Sequence, residues 1–136
     1  MKVKIVNATI DDTSDFFDRE NKCFGYKVRF DKEKLYSRLD TLIMHGYSYK
    51  AVHKKKIVGH VTSFITRTGD LFVDYLCVDV KRKGIGTLLL KKLRTENPRK
   101  TIYLFTDHTN ISSMLFYLKS GFVFDKREKD RIYFVL

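Results

Sequence analysis

The chain has 136 residues, the size of a single domain. It is 43% hydrophobic and 14% aromatic, which excludes a disordered segment and leaves ample material for a core. With 27 Lys and Arg against 16 Asp and Glu, its net charge of +11 favours an anionic partner: nucleic acid, a membrane surface or a phosphate-bearing small molecule. The excess is local. Residues 81–100 hold eight cations and one anion, whereas residues 1–40 hold nine cations and eight anions.

The pattern of apolar and breaker residues predicts a strand over 3–8. A polar helix follows over 11–23, started by Asp11 or Thr13 and carrying Phe16 and Phe17. Asp31 caps a second helix on which Leu35, Leu39, Leu42 and Ile43 recur at helical spacing, and Gly46 ends it. Three strands are expected next, over 47–53, 57–66 and 71–80, joined by the charged turn Lys54-Lys55-Lys56 and by Thr68-Gly69-Asp70. Both faces of the third are mostly apolar, Leu71, Val73, Tyr75 and Cys77 alternating with Phe72, Asp74, Leu76 and Val78, so it belongs in the sheet's centre. Ile85, Leu88, Leu89 and Leu93 mark a helix that stops near Asn97-Pro98. A strand over 101–106 follows, then a helix opened by Asn110 and closed before Gly121, then a closing hairpin over 122–125 and 131–135. The order β-α-α-β-β-β-α-β-α-β-β is that of a mixed α/β domain over residues 1–136, with antiparallel hairpins and one strand-helix-strand crossover.

Cys23 and Cys77 show no metal-ligand or CxxC spacing and read as reduced, packed thiols of a cytoplasmic protein. No signal peptide follows Met1, and no run approaches the roughly 20 apolar residues of a membrane helix.

"KRKGIGTLLLKKL", residues 81–93, joins a cationic turn to Gly84-Ile85-Gly86 and a helix. The first N–H groups of a helix lack partners and sit at the positive end of its dipole, and glycines let a phosphate approach. This predicts a pyrophosphate site with long-range help from Lys81, Arg82 and Lys83, although a solvated basic turn explains the same residues. Neither the Walker spacing nor a Rossmann GxGxxG is present; the latter would need glycine where Leu89 stands. "NISSMLFYLKSGF", residues 110–122, adds an Asn110 N-cap, with Ser113, Met114 and Tyr117 on one helical face and Phe116 opposing them as core.

Together Lys81-Arg82-Lys83-Gly84-Ile85-Gly86 and Asn110…Phe116-Tyr117…Gly121-Phe122 resemble the two motifs of the GNAT superfamily of acetyl-CoA-dependent N-acetyltransferases. The hairpin "AVHKKKIVGHV" and the element order fit as well, so the resemblance spans essentially the whole chain. Lys81 stands where the family usually has Gln or Arg, the link from Val78 to Gly84 is about two residues shorter than is typical, and Ser113 replaces a small Ala.

The resemblance implies a mostly antiparallel sheet of about seven strands with a splayed central pair, flanked by about four helices. It implies acetyl-CoA as cosubstrate and no metal, with the pyrophosphate on the amides from Arg82 to Thr87 and the pantetheine against the backbone of Cys77, Val78 and Val80. A free amine would attack the thioester directly while an N–H near Cys77 or Val78 stabilises the oxyanion, and Tyr117 would protonate the departing thiolate. Asn110 would touch the pantetheine or simply cap its helix. For the base, Asp74 leads because it interrupts an apolar face; Asp107 and His108 follow, then His60. Cys77 has no paired base that would make it a nucleophile. The acceptor is a small-molecule or protein amine, and Asp11, Asp12, Asp15, Asp18 and Glu20 would attract a cationic one unless they are only a solvated helix face. RNA binding and a non-catalytic CoA sensor are the competing classes. A homodimer is the family analogy, and the apolar "IYFVL" end calls for cover by the domain or by a second chain.

Overall fold

A computed structural model describes residues 2–24 and 31–136. Its strands are β1 (Lys4–Asn7), β2 (Tyr49–His53), β3 (Lys56–Ile65), β4 (Leu71–Val78), β5 (Ile102–Asp107), β6 (Val123–Glu128) and β7 (Arg131–Val135). Its helices are α1 (Thr13–Phe24), entered through a 3-10 turn at Ile10–Asp12, α2 (Lys32–Met44), α3 (Ile85–Glu96) and α4 (Ile111–Lys119). One sheet holds all seven strands in the order β1-β2-β3-β4-β5-β7-β6, with β4 at its centre. The C-terminal strand lies inside the sheet between β5 and β6, so the domain itself covers Ile132 and Phe134.

Every neighbouring pair is antiparallel except β4 and β5. Those two run parallel and pair only at Leu71↔Ile102 and Phe72↔Tyr103. Beyond Phe72 they part, and the sheet opens into a wedge at their C-terminal ends. Parallel strands need a crossover, and α3 supplies it; its Ile85, Leu89, Leu90 and Leu93 are buried in the main core.

The two faces of β4 do not alternate as the sequence suggests. Opposite the step Thr62/Ser63 of β3 the register shifts, Tyr75 pairing with Thr62 and Val73 with Ser63, which leaves Asp74 as the extra residue of a bulge. Leu71 and Val73 therefore share the α3 core with Leu76 and Val78. Tyr75 packs instead with Phe16, Phe17, Leu39 and Ile43 of α1 and α2. The bulge turns Cys77 toward α1 rather than into the main core.

The end of α1 is tied to the sheet by a buried polar network. Arg19 donates through Nε to Asp79 at 2.7 Å and through Nη2 to the Ile57 carbonyl at 2.9 Å, and it pairs with Asp15 one turn back. His60, fully buried and stacked on Phe16, lies between Arg19 and Glu20: Nδ1 is 3.3 Å from Arg19 Nη1 and Nε2 is 2.8 Å from Glu20. An arginine can only donate, so Nδ1 accepts and Nε2–H donates to Glu20, which fixes a neutral imidazole. Burial accordingly pushes the His60 pKa below its ordinary value.

Candidate active site

The wedge between β4 and β5 opens into a cleft of about 730 Å³, large enough for a small molecule or cofactor. The loop after β4 and the first turn of α3 form one wall. Arg82 and Gly84 both adopt left-handed backbone conformations, at φ 64° and 76°. Such residues gather successive N–H groups into a concave nest. Gly84 is the N-cap of α3 and offers no side-chain bond to the helix, whose first internal bond runs from Leu88 N–H to the Gly84 carbonyl. The N–H groups of Ile85, Gly86 and Thr87 thus have no capping side chain, and all three residues line the cleft. Lys81 and Arg82 line it as well, while Lys83 is exposed outside it. Uncapped amides, a left-handed nest and two cations fit a diphosphate.

β4 supplies the second wall. Asp79 N–H donates to the Val58 carbonyl at 2.8 Å, and Val78 pairs with Gly59. Donors alternate along an antiparallel ladder, so the N–H of Val78 points away from β3 and into the wedge, whereas that of Cys77 turns toward β3. Of the two N–H groups expected from the sequence as oxyanion donors, that of Val78 is the one directed into the wedge. Cys77, Val78 and Val80 all border the cleft.

α4 supplies the third wall. Asn110 caps it, accepting from Ser113 N–H at 3.1 Å, and this cap does not use its amide N–H donors. Tyr117 lines the cleft and packs against Phe116, Phe122 and Phe134. Among the described residues its hydroxyl meets no hydrogen-bond partner. Burial first, and the nearby Cys77 second, push its pKa up to about 12, so the phenol keeps its proton. Phe116 packs against the main core, as expected, and borders the cleft too.

The expected bases lie elsewhere. Asp74 is outside the cleft, gripped by both guanidinium nitrogens of Arg38 on α2 at 2.5 Å; the bulge that carries it aims it at α2. Asp107 turns to the N–H and hydroxyl of Thr109, which hold its carboxyl below the usual range. His108 lies beside Asp107 and Asp130, and His60 is sealed in the α1 network. Among the described residues Asp79 is the one carboxylate lining the cleft. Three of the five N-terminal acids are engaged, Asp12 with Lys50 at 2.8 Å, Asp15 with Arg19 and Glu20 with His60, while Asp11 and Asp18 are exposed. Sequence reasoning missed Arg19 and Cys23, both of which reach the cleft from α1. Only the placement of a cation and a thiol one turn apart on a helix pointed that way.

A family model described as "Acetyltransferase (GNAT) domain" matches residues 12–135. A comparison with curated protein sequences found no significant match. Among solved structures, a GNAT-family acetyltransferase from Bacillus cereus superposes with TM-score 0.85 at 17% identity, covering 100% of this chain and 97% of that one. The Paia N-acetyltransferase of Thermoplasma acidophilum, solved in complex with coenzyme A, gives 0.80 at 17% identity and covers 99% and 98%. An Arabidopsis thaliana protein solved with the bisubstrate analogue CoA-Ac-MVNAL gives 0.74 at 20% identity and covers 99% and 97%. At these identities the likeness is one of fold. No helix of the described residues is long and apolar enough to cross a membrane.

Proposed function

The chain belongs to the acetyltransferase (GNAT) family, and on that premise we propose that it transfers the acetyl group of acetyl-CoA to a primary amine by direct attack. The observation that carries the reading is the convergence of two backbone donor sets, the uncapped N-terminus of α3 and the inward N–H of Val78, on one cleft.

Acetyl-CoA contributes an activated thioester; the chain positions and polarises it. The amides from Arg82 to Thr87 hold the pyrophosphate, with Lys81 and Arg82 neutralising its charge. The end of β4 at Val78 and the loop beyond it at Val80 align the pantetheine, and Asn110 lies across the same cleft. The Val78 N–H donates to the carbonyl oxygen of the thioester, an interaction that strengthens as the tetrahedral oxyanion forms. Tyr117 gives its phenolic proton to the departing thiolate. Asp79 is the carboxylate within the cleft for the proton of the attacking amine. The relative solved with a CoA-peptide conjugate supports a peptide amine as one acceptor class beside small amines.

Thermal unfolding with and without acetyl-CoA tests this first. A ligand that binds only the folded state at a hundred times its Kd stabilises it by about 2.7 kcal/mol. Stabilisation by acetyl-CoA above that by ATP or NAD, followed by CoA release in a panel of primary amines, is the expected result. No stabilisation at millimolar acetyl-CoA overturns the reading and makes RNA the next ligand to test.

A further inference from the structure

The last turn of α1 brings Cys23 to Cys77 of β4 in one cleft, where the two thiols interact. Both line the cleft; Cys23 is exposed, while Cys77 is only 1% exposed. Val78, whose N–H points into the same cleft, lies beside Cys23. Cys23 is therefore a neighbour of the very donor assigned above to the thioester oxygen. Arg19, one turn back on the same helix face and anchored to Asp79, holds this turn of α1 over β4. The interaction with Cys77 and the charge of Arg19 draw the Cys23 pKa down to about 7, against the opposing effects of burial and of Asp79. The same contact and burial push Cys77 upward, so it remains the proton donor of the pair. An accessible thiolate beside a buried partner thiol is the arrangement in which oxidation is both fast and resolvable.

We propose that Cys23 is a site of oxidation by hydroperoxides, resolved by Cys77 into a disulfide that locks α1 over the Val78 N–H and closes the acetyl site. The Cys23 thiolate attacks the peroxide's terminal oxygen. The O–O bond breaks, the alkoxide or hydroxide leaves and is protonated, and Cys23 becomes a sulfenic acid. Cys77 then gives up its proton and attacks the Cys23 sulfur; the S–S bond forms and hydroxide leaves as water. Two thiols and one hydroperoxide yield one disulfide, one alcohol or water, and one further water. The consequence for acetyl-CoA rests on the cleft reading above. A reduced Cys23 can swing away from the Val78 N–H by rotating about χ1 to admit the thioester, whereas a disulfide to Cys77 forbids that rotation.

The test uses the full chain treated with hydrogen peroxide and then desalted. Expected are a mass loss of about 2 Da, loss of both titratable thiols, a monomeric band without reductant, and full reversal by dithiothreitol. Acetyl-CoA affinity, measured by calorimetry, falls roughly tenfold or more on oxidation and returns on reduction. In Cys77→Ser, oxidation halts at a Cys23 sulfenate that dimedone traps; in Cys23→Ser, peroxide leaves the acetyl-CoA affinity at its untreated value. Oxidation that runs to sulfinate without the mass loss, or a disulfide only between molecules, overturns the proposal, as does an internal disulfide that leaves acetyl-CoA affinity unaltered. Should the reduced protein fail to bind acetyl-CoA, it is the cleft reading that falls; the mass and thiol measurements still decide whether the disulfide forms.

Discussion

The ring of Phe116 on α4 stands against Gly86 on α3: a Cβ added to Gly86 would lie 3.0 Å from the tip of that ring. The contact joins the two helices at the cleft and explains why a glycine is needed in the first turn of α3. Enlarging Gly86 to valine forces the ring of Phe116 toward the cleft it borders. Gly86→Val should stay folded, since Phe116 can rotate into open space, yet bind acetyl-CoA at least tenfold more weakly. Calorimetry with acetyl-CoA reads this directly, and unchanged affinity would separate the first turn of α3 from the cofactor.

Tyr117 keeps its proton because it is buried, and its hydroxyl is unpaired among the described residues. A general acid acts in its protonated form, so raising its pKa to about 12 extends that form across the neutral and alkaline range. The wild-type kcat should therefore show no alkaline fall from this group up to roughly pH 10. Tyr117→Phe should lower kcat by roughly ten- to a hundredfold, the low end of acid catalysis because a thiolate leaves readily, with little change in acetyl-CoA affinity. A loss confined to KM would make Tyr117 a packing residue.

Asp74 and Arg38 give a test of the bulge. Asp74 is largely buried in its pair with the half-exposed Arg38, so the pair should contribute about 1 kcal/mol to stability after allowance for solvent. Asp74→Asn should lower the urea midpoint accordingly and leave kcat near the wild-type value. A collapse of kcat at constant acetyl-CoA affinity would return Asp74 to the reaction as its base.

These cases show what one sequence can and cannot reveal. The strands, the caps at Asp31 and Asn110 and the glycine turn at Gly84 were legible because each depends on neighbours a few residues away. Phe116 was legible as core, but its place on the cleft was not, because helical spacing separates it from Tyr117 without saying that the cleft reaches both. The faces of β4 were misassigned because an alternating pattern cannot announce the extra residue at Asp74; a bulge appears only in the partner strand's register. That single shift moved the expected base onto Arg38 and turned Cys77 toward Cys23. The pairing of those cysteines depends on how α1 crosses β4, a long-range contact for which neither residue carries a local signal.

The neutral, buried His60 makes a prediction about acid. Its pKa in the folded chain lies below the ordinary 6.5, so on acidification the unfolded chain takes up a proton at His60 before the folded chain does. The stability that His60 contributes is complete above pH 6.5 and falls as the pH drops below it, continuing toward the depressed folded value. Protonation would place a second cation beside Arg19 and remove the acceptor at Nδ1, while Glu20 on the other side limits the loss. In His60→Gln, which can still donate to Glu20, the native and unfolded states no longer differ at this position. Urea unfolding of both proteins between pH 7.5 and 5 should give a steeper loss of stability for the wild type, even though the variant is less stable at neutral pH. Parallel slopes would mean that His60 takes up its proton equally in both states, and that the Arg19–His60–Glu20 chain does not hold the imidazole neutral.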